Sequence, residues 1–447
     1  MKKILIANRG EISSRIIKTA HKLGIETVAV YSEADQELPF VKEATCSYLI
    51  GEGPVQKSYL NQDKIIEIAQ KERVDAIHPG YGLLSENAPF CRKVMEQGIT
   101  WIGPKPEAIG LMGEKIAARK AMKEAGVPVV PGNSTSLESE EEAVQYAREI
   151  GYPIMLKASA GGGGVGLVIC QTEEELKKAF TSTKGRAKAY FQNDEMFIEK
   201  YIERGRHIEV QIVADSYGNT VHLFERDCSV QRRNQKVIEE SPAKSIGEET
   251  KKRLYDYAIK AACHVEYVNA GTIEFIVDQD ENIYFLEMNT RLQVEHPVTE
   301  AVTNVDLVEW QIRIADGEKI PLSQEEIVQR GHSIEFRIYA ENPDTLFPSP
   351  GTISTLKWGG LGEGRLDAGY AEGSTVTPFY DAMIAKYIAV GATREDCIQQ
   401  ANTFFSETVI EGIKTNIPLL QRIISQEWFK QGLYDTKSLQ ELLLIKK

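Results

Sequence analysis

The chain has 447 residues, which is too long for one ordinary hydrophobic core, so we expect two or three domains. Its 65 acidic and 52 basic side chains leave a formal net charge of -13, which argues against a nucleic-acid partner because phosphate backbones bind basic surfaces. No stretch approaches the roughly 20 apolar residues of a membrane span, and the opening "MKKILIA" breaks too early for a secretion signal, so we expect a cytoplasmic protein without a membrane anchor.

The first part of the chain alternates strand and helix patterns to about residue 112. Residues 3 to 8, "KILIAN", indicate a buried strand, and apolar residues at helical spacing follow between positions 12 and 23. Strand patterns return at "TVAVYS", "VDAIHPG" and "ITWIGP", so we predict an open α/β sheet. The first turn, "ANRGE", lacks the G-x-G-x-x-G spacing, which argues against a dinucleotide site there.

A glycine-rich loop marks the second part of the chain. The strand pattern "YPIMLKAS" leads into "AGGGGVGLVIC", and four successive glycines indicate a loop that approaches a ligand or moves. No Gly-Lys-Ser/Thr follows the glycines, which excludes a Walker A loop. We expect the loop N–H groups to cover phosphates, with Lys157 just before the loop and Lys115 in the preceding helix supplying positive charge.

Two β-hairpins are predicted beyond this loop. The stretches "HIEVQIVADSYGNTVHLFERD" and "GTIEFIVDQDENIYFLEMN" alternate around turns at residues 216–219 and 278–282. The second hairpin brings Glu274 and Glu287 to nearly opposite positions, where two carboxylates repel unless a cation lies between them. Magnesium suits such a pair together with substrate phosphates, and Asn289 on the same face as Glu287 could add an oxygen.

The last part of the chain, after about residue 330, contains further strand patterns. These are "SIEFRIYAEN", "PSPGTISTL" and "YDAMIAKYIAVG". They predict a small mixed sheet closed by the terminal helices.

The motifs together resemble a known family. The glycine-loop hairpin, the lysine before it and the acidic hairpin after it are similar to an ATP-grasp fold. The blocks "IANRGEI", "IHPGYGLLSEN", "ERDCSVQRRNQKVIEE" and "EMNTRLQVEHPVTE" more closely resemble biotin carboxylase, over essentially the whole chain. The resemblance implies ATP- and bicarbonate-dependent carboxylation of biotin through carboxyphosphate.

The resemblance also implies an α/β architecture with three parts. These are a Rossmann-like open-sheet domain at residues 1–113, an ATP-grasp region at 114–320 and a C-terminal mixed α+β domain at 330–445. A mobile glycine-loop lid is expected at about 131–201.

The resemblance assigns roles residue by residue. ATP is expected to contact Lys115, Lys157, Gly163, Gly164, Glu199, Lys200, Tyr201, Ile202, His207, Gln231 and Asn234. Two magnesium ions, replaceable by manganese, would be held beside the nucleotide by Glu274, Glu287 and Asn289. Bicarbonate would be bound by Lys236, Arg291, Gln293 and the backbone of Val294, with Glu295 as its base. Arg337 would face biotin, with Tyr81 nearby. The residues implied to be catalytic are thus Lys236, Arg291, Glu295 and Arg337.

Two positions depart from the pattern of the family. Val165 follows the glycines where a basic residue is usual, and Asn234 stands before "QK" where a histidine is usual. A neutral amide can still hydrogen-bond a ribose or phosphate. Neither residue reaches the proposed chemical centre, so we expect altered nucleotide affinity more than lost activity.

Biotin is expected to arrive on a separate protein. The tripeptide "AMK" at residues 121–123 is similar to the site of biotin attachment in carrier domains, but it lies in a helical pattern, which predicts an ordinary helix lysine at Lys123. The chain therefore resembles a free-standing subunit of an acetyl-CoA or related acyl-CoA carboxylase. Its implied partners are a biotin carboxyl carrier protein, carboxyltransferase subunits and a second copy of the chain, with Arg15 near the homodimer interface.

Two other functions stay open on the sequence alone. One is a different ATP-grasp carboxylate ligase, although "RLQVEHPVTE" suits bicarbonate better than a bulky acid. The other is a nucleotide-binding regulatory protein with reduced turnover, suggested by Val165 and Asn234 but weakened by the complete set of proposed catalytic residues. The sequence does not identify the final acceptor of the carboxyl group.

Overall fold

The computed structural model describes residues 1–133, 135–158, 167–191 and 194–444. Gly163, Gly164 and Val165 therefore lie outside the described residues. The strands are β1 (Lys3–Ile6), β2 (Glu26–Ser32), β3 (Cys46–Gly51), β4 (Ala76–His78), β5 (Thr100–Trp101), β6 (Ile154–Ala158), β7 (Leu167–Cys170), β8 (Met196–Lys200), β9 (Arg206–Ala214), β10 (Thr220–Arg232), β11 (Gln235–Ser241), β12 (Asn269–Val277), β13 (Ile283–Asn289), β14 (His332–Tyr339), β15 (Gly351–Thr352), β16 (Thr355–Lys357), β17 (Arg365–Ala368), β18 (Thr375–Val376), β19 (Met383–Gly391) and β20 (Val409–Glu411).

The helices in the same ranges are α1 (Gly10–Lys22), α2 (Pro39–Glu43), α3 (Gln62–Lys71), α4 (Ala88–Glu96), α5 (Pro106–Gly113), α6 (Lys115–Glu124), α7 (Glu140–Ile150), α8 (Glu173–Phe191), α9 (Glu248–His264), α10 (His296–Thr303), α11 (Leu307–Ala315), α12 (Arg394–Glu407), α13 (Ile417–Ile424), α14 (Glu427–Gln431) and α15 (Ser438–Leu444). Short 3-10 turns occur at Glu33–Asp35, Val55–Lys57 and Gln324–Glu326. Lys123 lies in α6, as its helical pattern predicts.

The N-terminal region is the predicted open α/β sheet. Strands β1 to β5 pair in parallel in the order β3-β2-β1-β4-β5. Helix α1 buries Ile12, Ile16 and Ile17, because residues at this spacing share one helical face. Gly10 begins the helix with a φ of 65°, a conformation that glycine adopts at little cost.

A small antiparallel sheet carries the strand that leads into the glycine loop. Strand β6 lies between β7 and β8, and helices α7 and α8 contribute to its core. Ile154 and Leu156 alternate inward along β6, so the intervening and following positions face away from that core. Lys157 is consequently directed out of the core.

One long antiparallel sheet carries both predicted hairpins. Its order is β13-β12-β9-β10-β11-β14-β19-β17, with β9 and β10 joined at residues 215–219 and β12 and β13 joined at residues 278–282. The expectation of a separate small sheet after residue 330 is wrong, because β14 pairs with β11 and extends the central sheet. The register of Ile238 against Phe336 puts two buried apolar side chains opposite each other, which favours this long-range pairing.

Helices cover the faces of this sheet. Helix α9 packs on β9 and β10, α10 packs on β14 and β10, and α12 packs on β19 and β14. Among the helices described, none combines the length and the apolar character needed to cross a lipid bilayer.

Candidate active site

The candidate site lies where the long sheet meets the turn before α10. Along β9, His207, Glu209 and Gln211 alternate onto one face of the sheet. All three are buried, and polar side chains from β10, β11 and β12 hydrogen-bond to them. A buried polar face of this kind is costly unless its groups are paired, so it indicates a functional surface more than a packing surface.

Lys236 lies at the centre of this face. Its Nζ donates to Glu209 Oε2 at 2.6 Å, to Glu274 Oε1 at 2.8 Å and to Glu295 Oε1 at 2.6 Å. Burial alone would lower the pKa of Lys236, but the three carboxylates hold it well above its ordinary value. Lys236 therefore carries a fixed positive charge between the acidic hairpin and the turn before α10.

Glu295 is fully buried between two cations. In addition to Lys236, Arg337 Nη2 donates to Glu295 Oε2 at 3.0 Å. Burial would raise the pKa of Glu295, but Lys236 and Arg337 bring it below its ordinary value. The residue is therefore ionised, and an anion that enters between it and the two cations would raise its affinity for a proton.

The acidic hairpin fits a divalent cation. Glu274 and Glu287 are directly opposite in the β12–β13 register, as the sequence predicts. Desolvation and the neighbouring Glu274 raise the pKa of Glu287, although its side chain is exposed to solvent, and among the described residues its carboxylate makes no hydrogen bond or ion pair. Two opposed carboxylates with one member unpaired provide the oxygen ligands that magnesium prefers.

Asn289 completes the oxygen ligands of the hairpin. Its Nδ2 donates to Glu274 Oε1 at 2.7 Å, and its Oδ1 accepts from Arg291 Nη2 at 2.8 Å. An amide oxygen has a second lone pair, so Asn289 can still ligate a metal beside Glu287. The residues present therefore fit magnesium.

Arg291 and Gln293 connect this hairpin to the turn before α10. Gln293 Nε2 donates to Glu274 Oε1 at 2.8 Å, and Arg291 Nη1 donates to Gln293 Oε1 at 3.2 Å. Arg291 is also held from a distant part of the chain, since its Nε donates to Glu86 Oε2 at 2.9 Å. Glu86, Gln293 and Asn289 thus hold the guanidinium beside the acidic hairpin.

Val294 and Tyr81 are held on the opposite side of the turn. The buried Lys386 of β19 donates from Nζ to the carbonyl of Val294 at 2.7 Å and pairs with Glu11 at 3.3 Å. Tyr81 donates its hydroxyl to Glu11. Burial and the charge of Glu11 raise the pKa of Tyr81 well above its ordinary value, while Arg337 lies close enough to oppose that rise.

Two lysines converge on the cleft between the small sheet and the hairpin. Burial and the charge of Lys157 lower the pKa of Lys115 from its ordinary 10.5. Lys157 itself pairs with Glu199, which also accepts from Arg119. The repulsion between the two lysines is consistent with an anion site, because phosphate oxygens would relieve it.

The other predicted nucleotide residues are distributed along the same wall. Nε2 of His207 lies 2.7 Å from Glu274 Oε2, and its Nδ1 lies 2.6 Å from Nε2 of Gln231. Lys200 instead donates its Nζ to the carbonyls of residues 151 and 152, and Tyr201 N donates to the carbonyl of residue 153 at 3.0 Å. Ile202 is half-buried two residues after the end of β8.

Two of the predicted residues lie away from this cluster. Asn234 is exposed at the tip of the β10–β11 hairpin with a φ of 64°, which suits asparagine in a tight turn. The positive φ of this turn therefore favours asparagine at position 234. Arg15 is buried in α1, where its Nη2 donates to Glu300 and Asp306 at 2.7 and 2.8 Å.

Sequence reasoning missed several residues that hold the site together. Glu209 shares the face of His207 at a spacing of two residues, and that alternation was a usable signal. Arg226 is fully buried and donates to Glu209, Gln211, Thr272 and Thr299, which is unusual inside an apolar strand pattern. The contacts of Glu86 and Lys386 cross large sequence distances, and no local pattern indicates them.

Comparisons with known proteins cover nearly the whole chain. Residues 1–109 match the family described as biotin carboxylase, N-terminal domain, and residues 335–441 match the biotin carboxylase C-terminal domain. Residues 114–323 match the family described as carbamoyl-phosphate synthase L chain, ATP binding domain. The chain is 56% identical over 441 residues to biotin carboxylase 2 of Bacillus subtilis, covering 99% of each chain.

Solved structures of biotin carboxylases also superpose on nearly the whole chain. A biotin carboxylase–β,γ-ATP complex from Campylobacter jejuni superposes with a TM-score of 0.96 at 44% identity, covering 98% of each chain. The biotin carboxylase domain dimer of Hydrogenobacter thermophilus 2-oxoglutarate carboxylase, in complex with MgADP, ADP and bicarbonate, also gives a TM-score of 0.96, at 46% identity. That match covers 98% of this chain and 97% of the other.

Proposed function

The chain belongs to the biotin carboxylase family, and we propose that it carboxylates biotin on a separate carrier protein, using ATP and bicarbonate by way of carboxyphosphate. The observation that carries the proposal is the position of Lys236, which hydrogen-bonds both Glu274 of the acidic hairpin and Glu295 of the turn. One ammonium group thereby connects the residues proposed for phosphate transfer with those proposed for bicarbonate activation.

Lys115 and Lys157 bind the phosphates of ATP. Their proximity supports this role, because burial and the charge of Lys157 disfavour the charged form of Lys115, which a bound phosphate would stabilise. Glu199, Lys200, Tyr201 and Ile202 form the segment against which the rest of the nucleotide lies, and His207 and Gln231 line the adjoining wall. Gly163 and Gly164 are proposed, on the sequence alone, to cover the phosphates.

Glu274, Glu287 and Asn289 hold the magnesium ions. When bound, magnesium neutralises the phosphoryl group during its transfer. Glu287 is the member of this set best able to accept a metal without losing another contact, since the described part of the chain offers it no partner. Glu274 has to exchange some of its hydrogen bonds to Lys236, His207 and Gln293.

Glu295 takes the proton of bicarbonate. Bicarbonate is a poor nucleophile, and entry of the anion beside Arg291 and Lys236 raises the proton affinity of Glu295 at the moment when a base is needed. Gln293 and the backbone of Val294 orient the anion. The oxygen of bicarbonate then attacks the γ-phosphorus of ATP, which forms carboxyphosphate and releases ADP.

Arg337 stabilises the biotin enolate. Carboxyphosphate decomposes to carbon dioxide and phosphate, and the phosphate removes a proton from the biotin nitrogen. The resulting anion attacks carbon dioxide beside Arg337. The positive guanidinium of this β14 residue, which also contacts Glu295, stabilises the anion. Tyr81 is proposed to border the same space, since its hydroxyl is held by Glu11 near the charge of Arg337.

The carboxylated carrier serves a carboxyltransferase of an acetyl-CoA or related acyl-CoA carboxylase. We propose that the chain works as three regions, 1–113, 114–320 and 330–445, and as a homodimer with Arg15 and α1 near the interface. Support for the dimer comes from the 2-oxoglutarate carboxylase relative, whose biotin carboxylase domain forms a dimer.

The test is ADP release by the purified protein with magnesium and ATP, omitting bicarbonate and free biotin in turn. Release that needs bicarbonate and rises with biotin is expected. ATP binding without bicarbonate-dependent release would contradict the proposal and favour a regulatory nucleotide-binding protein.

A further inference from the structure

Two buried glutamates face each other behind Arg337. Glu239 of β11 and Glu335 of β14 are direct partners in the antiparallel register, and neither side chain is exposed to solvent. Among the described residues, no donor reaches any of their four carboxylate oxygens with the geometry of a hydrogen bond. Glu239 does form an ion pair with Arg337, but buried carboxylates that lack hydrogen-bond donors are rare in a protein interior, so this pair requires an explanation.

The pair cannot be doubly ionised at a reasonable cost. Two carboxylates that share a dry site repel each other, and such pairs retain one proton between them. Arg337 Nη2 lies 2.5 Å from Glu239 Oε1, which favours the ionised form of Glu239. The proton therefore belongs on Glu335, from which it can be donated across the strands to Glu239.

The surroundings of the pair agree with one shared proton. The charged and titratable groups around it are Lys236, Cys228 and Tyr339 on the sheet, Arg337 of β14 itself, Lys386 of β19, Glu295 before α10, and Glu11 and Tyr81 beyond Lys386. Lys386 is already engaged by Glu11 and by the Val294 carbonyl. Burial raises the pKa of Glu239 to about 7 and that of Glu335 well above its ordinary value.

We propose that Glu335 is a positioning residue for biotin carboxylation, which holds one proton against Glu239 so that a single negative charge fixes Arg337. This inference rests on the proposed function. With one charge behind it, Arg337 bridges Glu239 and Glu295, 2.5 and 3.0 Å from its Nη2. A second charge at Glu335 would draw the guanidinium away from Glu295 and from the biotin enolate.

The test compares Glu335→Gln with Glu239→Gln. Glutamine copies the shape and the donor of a protonated Glu335, so Glu335→Gln should keep kcat/KM for free biotin within about threefold at neutral pH. The same change at Glu239 removes the buried partner of Arg337 and should lower kcat/KM for biotin by about tenfold or more. A role in packing alone would give the two isosteric changes similar effects.

The pH profile supplies a second readout. Loss of the Glu335 proton should lower the rate of biotin carboxylation on the alkaline side in the unmodified protein, and Glu335→Gln should lack that alkaline limb. Infrared spectra of the unmodified protein at about pH 8 should contain the carbonyl band of a buried carboxylic acid, at a pH where Asp227, with a pKa of about 6, is ionised. Glu335→Gln should lose intensity in this band, which separates Glu335 from Glu11 and Glu287, whose pKa values are also raised.

Two results would overturn the inference. These are equal impairment of both variants with an unchanged alkaline limb, or no carboxylic-acid band in the unmodified protein. Bicarbonate-dependent ADP release by the unmodified protein is measured in parallel. Its absence would overturn the proposed function and this inference with it, whereas its presence with either of the two results would overturn the shared proton alone.

Discussion

Lys236 donates a 2.6 Å hydrogen bond to Glu295 across 59 residues of chain. The donor belongs to β11 and the acceptor to the turn before α10, and both side chains are largely or wholly buried. In the unliganded protein the ammonium neutralises the proposed base. A substrate anion has to enter this ion pair, which couples anion binding to activation of Glu295.

Glu295→Gln should abolish bicarbonate-dependent turnover. The amide keeps the shape of the side chain but cannot take a proton, and loss of a general base typically costs about 100-fold to 10,000-fold in rate. Nucleotide binding, measured by titration calorimetry, should stay nearly unchanged because Lys115 and Lys157 are untouched. The exposed Glu318→Gln is a matched control, and turnover of Glu295→Gln at the control rate would remove Glu295 as the base.

Arg337→Ala should impair biotin more than bicarbonate. The guanidinium lies 3.0 Å from Glu295 but is proposed to act on the biotin enolate. We expect biotin carboxylation to fall by about tenfold or more beyond any loss in bicarbonate-dependent ADP release. Both rates are measured on the same preparation, and equal losses in the two assays would count against a role facing biotin.

Glu287→Gln should separate metal binding from stability. Desolvation and Glu274 raise the pKa of Glu287, but water screens its exposed side chain. Its charge therefore destabilises the fold only weakly at neutral pH, and stability due to this residue increases slightly as pH falls through its raised pKa. Removing the charge should leave Tm without magnesium unchanged or slightly higher. The same variant should need about tenfold or more magnesium for half-maximal turnover. An unchanged magnesium requirement would exclude Glu287 as a ligand.

Nucleotide binding should take up protons on the alkaline side. Burial and Lys157 lower the pKa of Lys115, so between that lowered value and 10.5 the free protein holds this lysine partly neutral, and a bound phosphate recharges it. Calorimetry at about pH 9 in buffers of different ionisation enthalpy should detect this uptake. Lys115→Arg, which stays charged, is the control that should lose it. No uptake in the unmodified protein would contradict the proposed contact.

The sequence predicted the parts of the site that depend on local pattern. Glu274 and Glu287 are brought opposite each other by one short turn, and alternation along the strands then fixes which side chains share a face. The motif blocks placed Lys236, Arg291, Glu295 and Arg337 in one family-like site, and the structure brings these four residues into one connected network with Asn289 and Glu274. Their chemical roles stay predictions until the variants are measured.

Only the tertiary structure decided the contacts that join distant segments. The pairing of β14 with β11 turned an expected separate sheet into an extension of the central one, and the same register set Glu239 against Glu335. Glu86 reaches Arg291 across 205 residues, and Lys386 reaches Val294 across 92. Local periodicity reports which face of a strand is buried but not which strand lies beside it. That choice is made by long-range packing, so these partners could not be read from the sequence.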